Sequence, residues 1–222
     1  MDPYVYPDTD VLRNKLGIRD ATKLLRVEIA VTGRRCAQLV DAPISGKFDF
    51  AHLKRIHAFM FQDLFDWAGE VRTCNLNKGN TLFCLPEHIE SYAASEVFPS
   101  FRDKCISSKG DRPAFVDAFA ACYADLNMLH PFREGNGRTQ REFARELCLE
   151  SGYLFDLQVT SHEKMVAASI AAASGDNSLL RAEFEKAVVP LAQADEIARS
   201  GIAKLPIFTP DDISAEDYPQ YQ

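Results

Sequence analysis

The sequence predicts an all-α domain with one β-hairpin. Apolar residues recur at steps of three and four along most of the chain. Glycines such as Gly69 and Gly152 close those periodic runs. Only the stretch around Asn77-Lys78-Gly79-Asn80 changes to a strand-like pattern.

Along the chain, Asp2-Pro3-Tyr4-Val5-Tyr6-Pro7 predicts an extended arm laid on the core, because its prolines disfavour helix. Val11 to Leu16 forms a short turn ended by Gly17. Asp20 caps a helix running to Leu39, with Leu24, Leu25, Val27, Ile29 and Ala30 as its apolar positions. Pro43 to Gly46 breaks the chain, and Phe50 to Trp67 forms an amphipathic helix through Leu53, Ile56, Met60 and Leu64. Val71–Leu76 and Thr81–Cys84 are the expected hairpin strands. Helices follow over Glu87–Phe101, Pro113–Leu129 (capped by Asp111), Arg138–Ser151, Ser161–Ala173 and Leu179–Ala194. From Leu205 onward there are three prolines, four acids and no Lys or Arg, so residues 205–222 are expected to be a flexible or surface-bound tail to a single domain over 1–204.

Composition excludes several classes. The 222 residues carry 25 basic and 32 acidic side chains, a net charge of −7, which argues against a nucleic-acid partner. A 46% hydrophobic content suits an ordinary packed core. No run is long enough to span a bilayer and no signal-peptide pattern opens the chain, so a cytoplasmic protein is expected. The six cysteines form no Cys-x-x-Cys pair and have no histidine at ligand spacing, which points to reduced, mostly buried thiols rather than zinc. His52 and His57 are five apart, on different helix faces, and are read as structural or surface groups.

The chemistry concentrates in His130-Pro131-Phe132-Arg133-Glu134-Gly135-Asn136-Gly137-Arg138, which joins two predicted helices. Gly135 and Gly137 let backbone N–H groups approach a ligand, and they sit where a helix start favours an anion. Arg138 and Arg141 share a helix face over that start, which suits polyphosphate. Glu134 offers a hard oxygen for Mg²⁺, and His130 can take a proton near neutral pH. Each feature alone has a bland reading as a cap, a loop acid or a surface charge. The Gly-x-Gly also lacks the third glycine of the dinucleotide fingerprint and follows a helix rather than a strand.

The run His130 to Arg141 resembles the complete signature of the Fic family, His-x-Phe-x-(Asp/Glu)-Gly-Asn-Gly-Arg-x-x-Arg, with no departure. Asp2-Pro3-Tyr4 through Ile18, and Ile56-His57 through Phe65-Asp66-Trp67-Ala68-Gly69-Glu70-Val71-Arg72, are similar to the cell-filamentation branch of that family. The resemblance implies a Fic-fold helical bundle with a hairpin flap, and AMP transfer from ATP to a Tyr, Ser or Thr hydroxyl of a protein. His130 would be the general base and Glu134 the Mg²⁺ ligand. Gly135, Asn136 and Gly137 would form the anion hole, Arg138 and Arg141 would hold the β- and γ-phosphates, and Phe132 would anchor the loop. The flap (Asn75, Leu76, Asn77, Lys78, Gly79, Asn80, Thr81, within 70–85) would pair with an extended target segment.

The inhibitory motif of many relatives, Ser/Thr-x-x-x-Glu-(Gly/Asn), is absent: no Glu has Ser or Thr four residues before it. The resemblance then implies a separate small antitoxin carrying that motif, its Glu docking on Arg141, and type II topoisomerase subunits as targets. A different donor, or a secreted effector acting on host GTPases, are the alternatives.

Overall fold

The computed structural model describes residues 2–79 and 81–194. The expected tail and Asn80 of the flap lie outside the described residues. Helix α1 spans Ala21–Asp41, and its cap Asp20 accepts the Lys23 N–H at 2.7 Å. Helix α2 spans Phe50–Phe61, capped by Asp49 through the His52 N–H at 2.8 Å.

The sequence extended α2 to Trp67, but the helix stops at Phe61. Leu64, Phe65 and Trp67 are still buried, by successive turns rather than by a helix face, so the three-four spacing overstated the length. Gly69 has φ +86°, and a Cβ there would stand 2.8 Å from the Ala58 methyl. Only glycine lets the chain turn so close to α2.

The hairpin is shorter than predicted. Strands β1 (Asn77–Lys78) and β2 (Thr81–Leu82) pair antiparallel, Asn77 opposite Leu82 and Lys78 opposite Thr81. One further bond, Phe83 N–H to Leu76 C=O at 3.2 Å, continues it. Residues 71–74 join no strand: the Arg72 N–H donates to Pro131 C=O at 2.9 Å, the Thr73 N–H donates to Tyr4 OH at 3.0 Å, and the chain bends at 73–74.

A helical run follows from Pro86 to Ser108. It comprises α3 (Pro86–Tyr92), a π turn at Ala93–Val97, α4 (Phe98–Ser100), a second π turn at Phe101–Cys105 and a 3₁₀ turn at Ile106–Ser108. Pro99 lies between the π turns. It donates no hydrogen bond and its ring crowds the carbonyl four residues back, and widened turns accommodate it.

Helix α5 (Arg112–Leu129) occupies the centre, with Phe115, Phe119, Cys122, Leu126 and Leu129 all buried, as the periodicity predicts. It packs against α6 (Asn136–Glu150), α7 (His162–Ala173), α8 (Ser178–Ala187) and the second π turn. Phe119 stacks on Phe184 of α8, and Phe143 of α6 meets Phe101 edge-on.

The structure adds a second strand pair. β3 (Tyr153–Phe155) pairs antiparallel with β4 (Val188–Pro190), where a helix to Ala194 was expected. Val188 and Val189 are β-branched, and Val189 precedes Pro190, which pushes backbone out of the α region. The helical pattern over 179–194 is therefore interrupted at Val188, and residues 191–194 resume it. The N-terminal arm folds back on itself through a Val5–Leu12 bridge. No helix among the described residues is long and apolar enough to cross a membrane.

Candidate active site

α5 ends because its last residue is followed by a histidine in the left-handed region and then a proline. His130 has φ 41° and ψ 60°, and its N–H reaches Leu126 C=O at 3.4 Å. The ring lies in the cleft between α5 and the flap. Nδ1 is 3.0 Å from Asn127 C=O, so the Nδ1 proton is donated there and the lone pair resides on Nε2. Phe83 of the flap stacks on the ring, with centroids 3.7 Å apart and planes 12° apart. Burial first, then the positive charges of Lys78 and Arg72, pull the imidazole down to about 3. The neutral form is the one present at physiological pH.

The loop then closes on itself. Phe132 is fully buried. Its N–H donates to Asn136 Oδ1 at 2.9 Å, and its C=O accepts from Asn136 Nδ2 at 2.7 Å. Asn136 is thus tied inward by its side chain, which leaves its backbone N–H as the group it can offer an anion. Gly135 (φ +80°) caps the start of α6, and a Cβ at that position would overlap the Phe61 ring at 2.2 Å. The first backbone bond of α6 is Thr139 N–H to Gly135 C=O at 3.0 Å, so the preceding N–H groups project from the helix start.

Arg138 is held from several sides. Its guanidinium donates to Glu28 of α1, to Thr32 Oγ1 at 3.2 Å and to Glu134 Oε1 at 3.3 Å, and lies 5.0 Å above the Phe61 ring. Glu28 is 1% exposed. Burial raises its carboxyl above the ordinary value and Arg138 opposes that rise. Arg141 is exposed on the same helix start, while Glu134 also accepts the Gly135 N–H at 2.8 Å. Arg133 pairs with Asp2 at 2.7 Å, which fastens the N-terminal arm to the loop.

No cluster of three or more His, Cys, Asp or Glu that could hold a metal occurs among the described residues. Glu134 contributes a single carboxylate. That donor set fits a Mg²⁺ whose other ligands are phosphate oxygens and water, not a resident ion.

The Fic/DOC family pattern matches residues 47–148. Over 187 residues the chain is 36% identical to the probable protein adenylyltransferase Fic of Salmonella typhimurium, covering 84% of this chain and 92% of that protein. The chain belongs to the Fic/DOC family. It is also 40% identical over 181 residues to the protein adenylyltransferase VbhT of Bartonella schoenbuchensis, covering 82% of this chain but 38% of the longer relative. Among solved structures, the N-terminal Fic domain of a putative cell filamentation protein from Bartonella quintana, with bound ADP, superposes with a TM-score of 0.78 at 30% identity. It covers 84% of this chain and 94% of that one.

The Fic loop brings His130, Glu134, Gly135, Asn136, Gly137, Arg138 and Arg141 to one end of α6. The flap residues Asn75, Leu76, Asn77, Lys78, Gly79 and Thr81 lie along the extended stretch and hairpin that lead into Phe83. The sequence assigns no site role to Glu28, His57, Arg72 or Phe83, all of which the structure brings against the loop or Arg138. His57 is fully buried. Its Nδ1 accepts the Gly69 N–H at 2.7 Å, and its Nε2–H donates to Glu134 C=O at 3.0 Å. Its ring stacks on Phe132 at 3.8 Å, and burial takes it down to about 3. For Glu28 and His57 the sequence signal is a charged or polar residue among apolar helix positions, as with Glu28 beside Leu24 and Leu25, whereas Arg72 and Phe83 lie outside the helices and carry no such signal.

Proposed function

We propose that this chain is a protein adenylyltransferase, moving AMP from ATP to a Tyr, Ser or Thr hydroxyl. The observation that carries the reading is the placement of the neutral His130 ring under the flap, Nε2 carrying the lone pair, beside a glycine-rich helix start flanked by Arg138 and Arg141. In this reading Nε2 takes the hydroxyl proton as the oxygen attacks the α-phosphorus. The bond to the bridging oxygen breaks and pyrophosphate leaves. The N–H groups at the start of α6 bind the phosphate oxygens, and Arg138 and Arg141 neutralise the β- and γ-phosphates. Mg²⁺ held by Glu134 would offset further phosphate charge. The flap presents backbone groups to an extended target segment, so that the hydroxyl lies near Nε2.

The same reading extends to control. Arg141 is exposed at the start of α6, so an antitoxin carrying Ser/Thr-x-x-x-Glu-(Gly/Asn) would restrain the enzyme by placing its glutamate there. Type II topoisomerase subunits are the target class that the cell-filamentation resemblance suggests, in the cytoplasm. A second reading, a translocated effector, is favoured by the Bartonella quintana neighbour, which is described as a VirB-translocated effector protein.

The test is mass spectrometry of a lysate incubated with the protein and MgATP. An AMP adduct on a Tyr, Ser or Thr peptide, absent with His130→Ala, supports the reading. A phosphate adduct, or an adduct that persists in His130→Ala, contradicts it.

A further inference from the structure

Arg72 is one of the largest fully buried side chains in the molecule, at 1% exposure. Its hydrogen-bond partners are backbone carbonyls. Nε donates to His130 C=O at 2.8 Å, one terminal nitrogen to Cys74 C=O at 2.7 Å, and the other to Cys84 C=O. Its own N–H donates to Pro131 C=O at 2.9 Å. Cys74 and Cys84 stand on the two sides of the flap base, and the Cys84 N–H is bound to Met128 C=O at 2.9 Å.

The fork geometry of a guanidinium suits this arrangement, since its N–H groups diverge in one plane. A cation is also favoured where α5 ends and its carbonyls point outward. The position matters because His130 is a non-glycine residue in the left-handed region, a conformation that persists only when its surroundings hold it. The His130 N–H bond to Leu126 is long at 3.4 Å, whereas the carbonyl side is gripped by Arg72 at 2.8 Å. Phe83, one residue before Cys84, carries the flap onto the imidazole face.

We propose that Arg72 is a positioning residue that locks the flap to His130, so that a target strand docked on the flap and the general base move as one unit. The inference rests on reading His130 as the base. Arg72 touches neither phosphate-binding groups nor Glu134, so it sets where the hydroxyl and the base meet rather than how ATP binds.

Native-state hydrogen exchange on the full wild-type chain tests this directly. The amides of Arg72, Phe83, Cys84 and His130 are expected to share one opening free energy and one denaturant slope. Separate openings for the flap and for His130 would overturn the proposal. In Arg72→Lys, which keeps the charge but not the fork, exchange at Phe83 and Cys84 is expected to rise by about tenfold or more. The His130 ring resonances shift, and the MgATP dissociation constant stays within about twofold of wild type. A remote core variant, Phe184→Leu, supplies the structural control. If it accelerates flap exchange as much as Arg72→Lys, the clamp has no positioning role. Failure of wild type to bind MgATP would sink the adenylyltransferase reading instead, and leave the exchange result to judge the clamp.

Discussion

At the scale of single residues, the site is set by atoms whose hydrogen bonds leave one assignment. Asn127 C=O fixes the Nδ1 tautomer of His130, and Gly69 N–H fixes the Nε2 tautomer of His57. Both rings are held down to about 3, burial being the first cause in each. A histidine whose folded value lies below its ordinary one stays neutral as pH falls, until the folded value is reached. Ring ¹⁵N spectra of the free protein should therefore show His57 and His130 as neutral imidazoles from pH 8 down to about pH 5. Protonation of His130 near 6.5 would contradict the burial described. Gly135 permits a second test. Gly135→Ala forces a Cβ into the Phe61 ring at a positive φ, and is expected to cost roughly 2–4 kcal/mol in chemical denaturation. The identities of His130, Gly135 and Arg138 are legible in the sequence because their chemistry is local. Arg72, His57 and Phe83 are not, since their roles arise from partners 58, 77 and 47 positions away.

At the scale of elements, α1 does more than cover the core. It delivers Glu28 to Arg138 across 110 positions of sequence, and Thr32 one turn later supports the same guanidinium. Glu28→Ala should destabilise the protein by about 3 kcal/mol, the low end for a broken buried pair because Glu134 still faces Arg138. It should also weaken MgATP binding, read by calorimetry; an unchanged affinity would show that Arg138 orients without α1. The errors in element length have physical causes. Apolar spacing of three and four was satisfied by turns after Phe61, and Pro190 with two valines before it converted the end of a predicted helix into a strand. The hairpin pairs over fewer residues than its composition suggests because the carbonyls of Cys74 and Cys84 are engaged by Arg72.

At the scale of the whole molecule, α5 and α6 form the frame, and the N-terminal arm, α1, α2 and the flap close around the loop between them. Asp2 with Arg133, and Tyr4 OH with Thr73 N–H at 3.0 Å, join the chain's beginning to the site. Binding at such a site stabilises the folded state. MgATP at 100 times its dissociation constant should add about 2.7 kcal/mol, a rise in Tm of roughly 5–10 °C for a chain of this size. Arg141→Ala should shrink that rise by weakening phosphate binding. In the proposed reaction the loop from His130 to Arg141 transfers the α-phosphate of ATP with its nucleoside. The direct measurement incubates the protein and Mg²⁺ with lysate and ATP labelled at either the α- or the γ-phosphate. Label entering a protein band from α-labelled ATP, none from γ-labelled ATP, and none with His130→Ala is the predicted result. Label from the γ-position, or α-label undiminished in His130→Ala, would contradict the account.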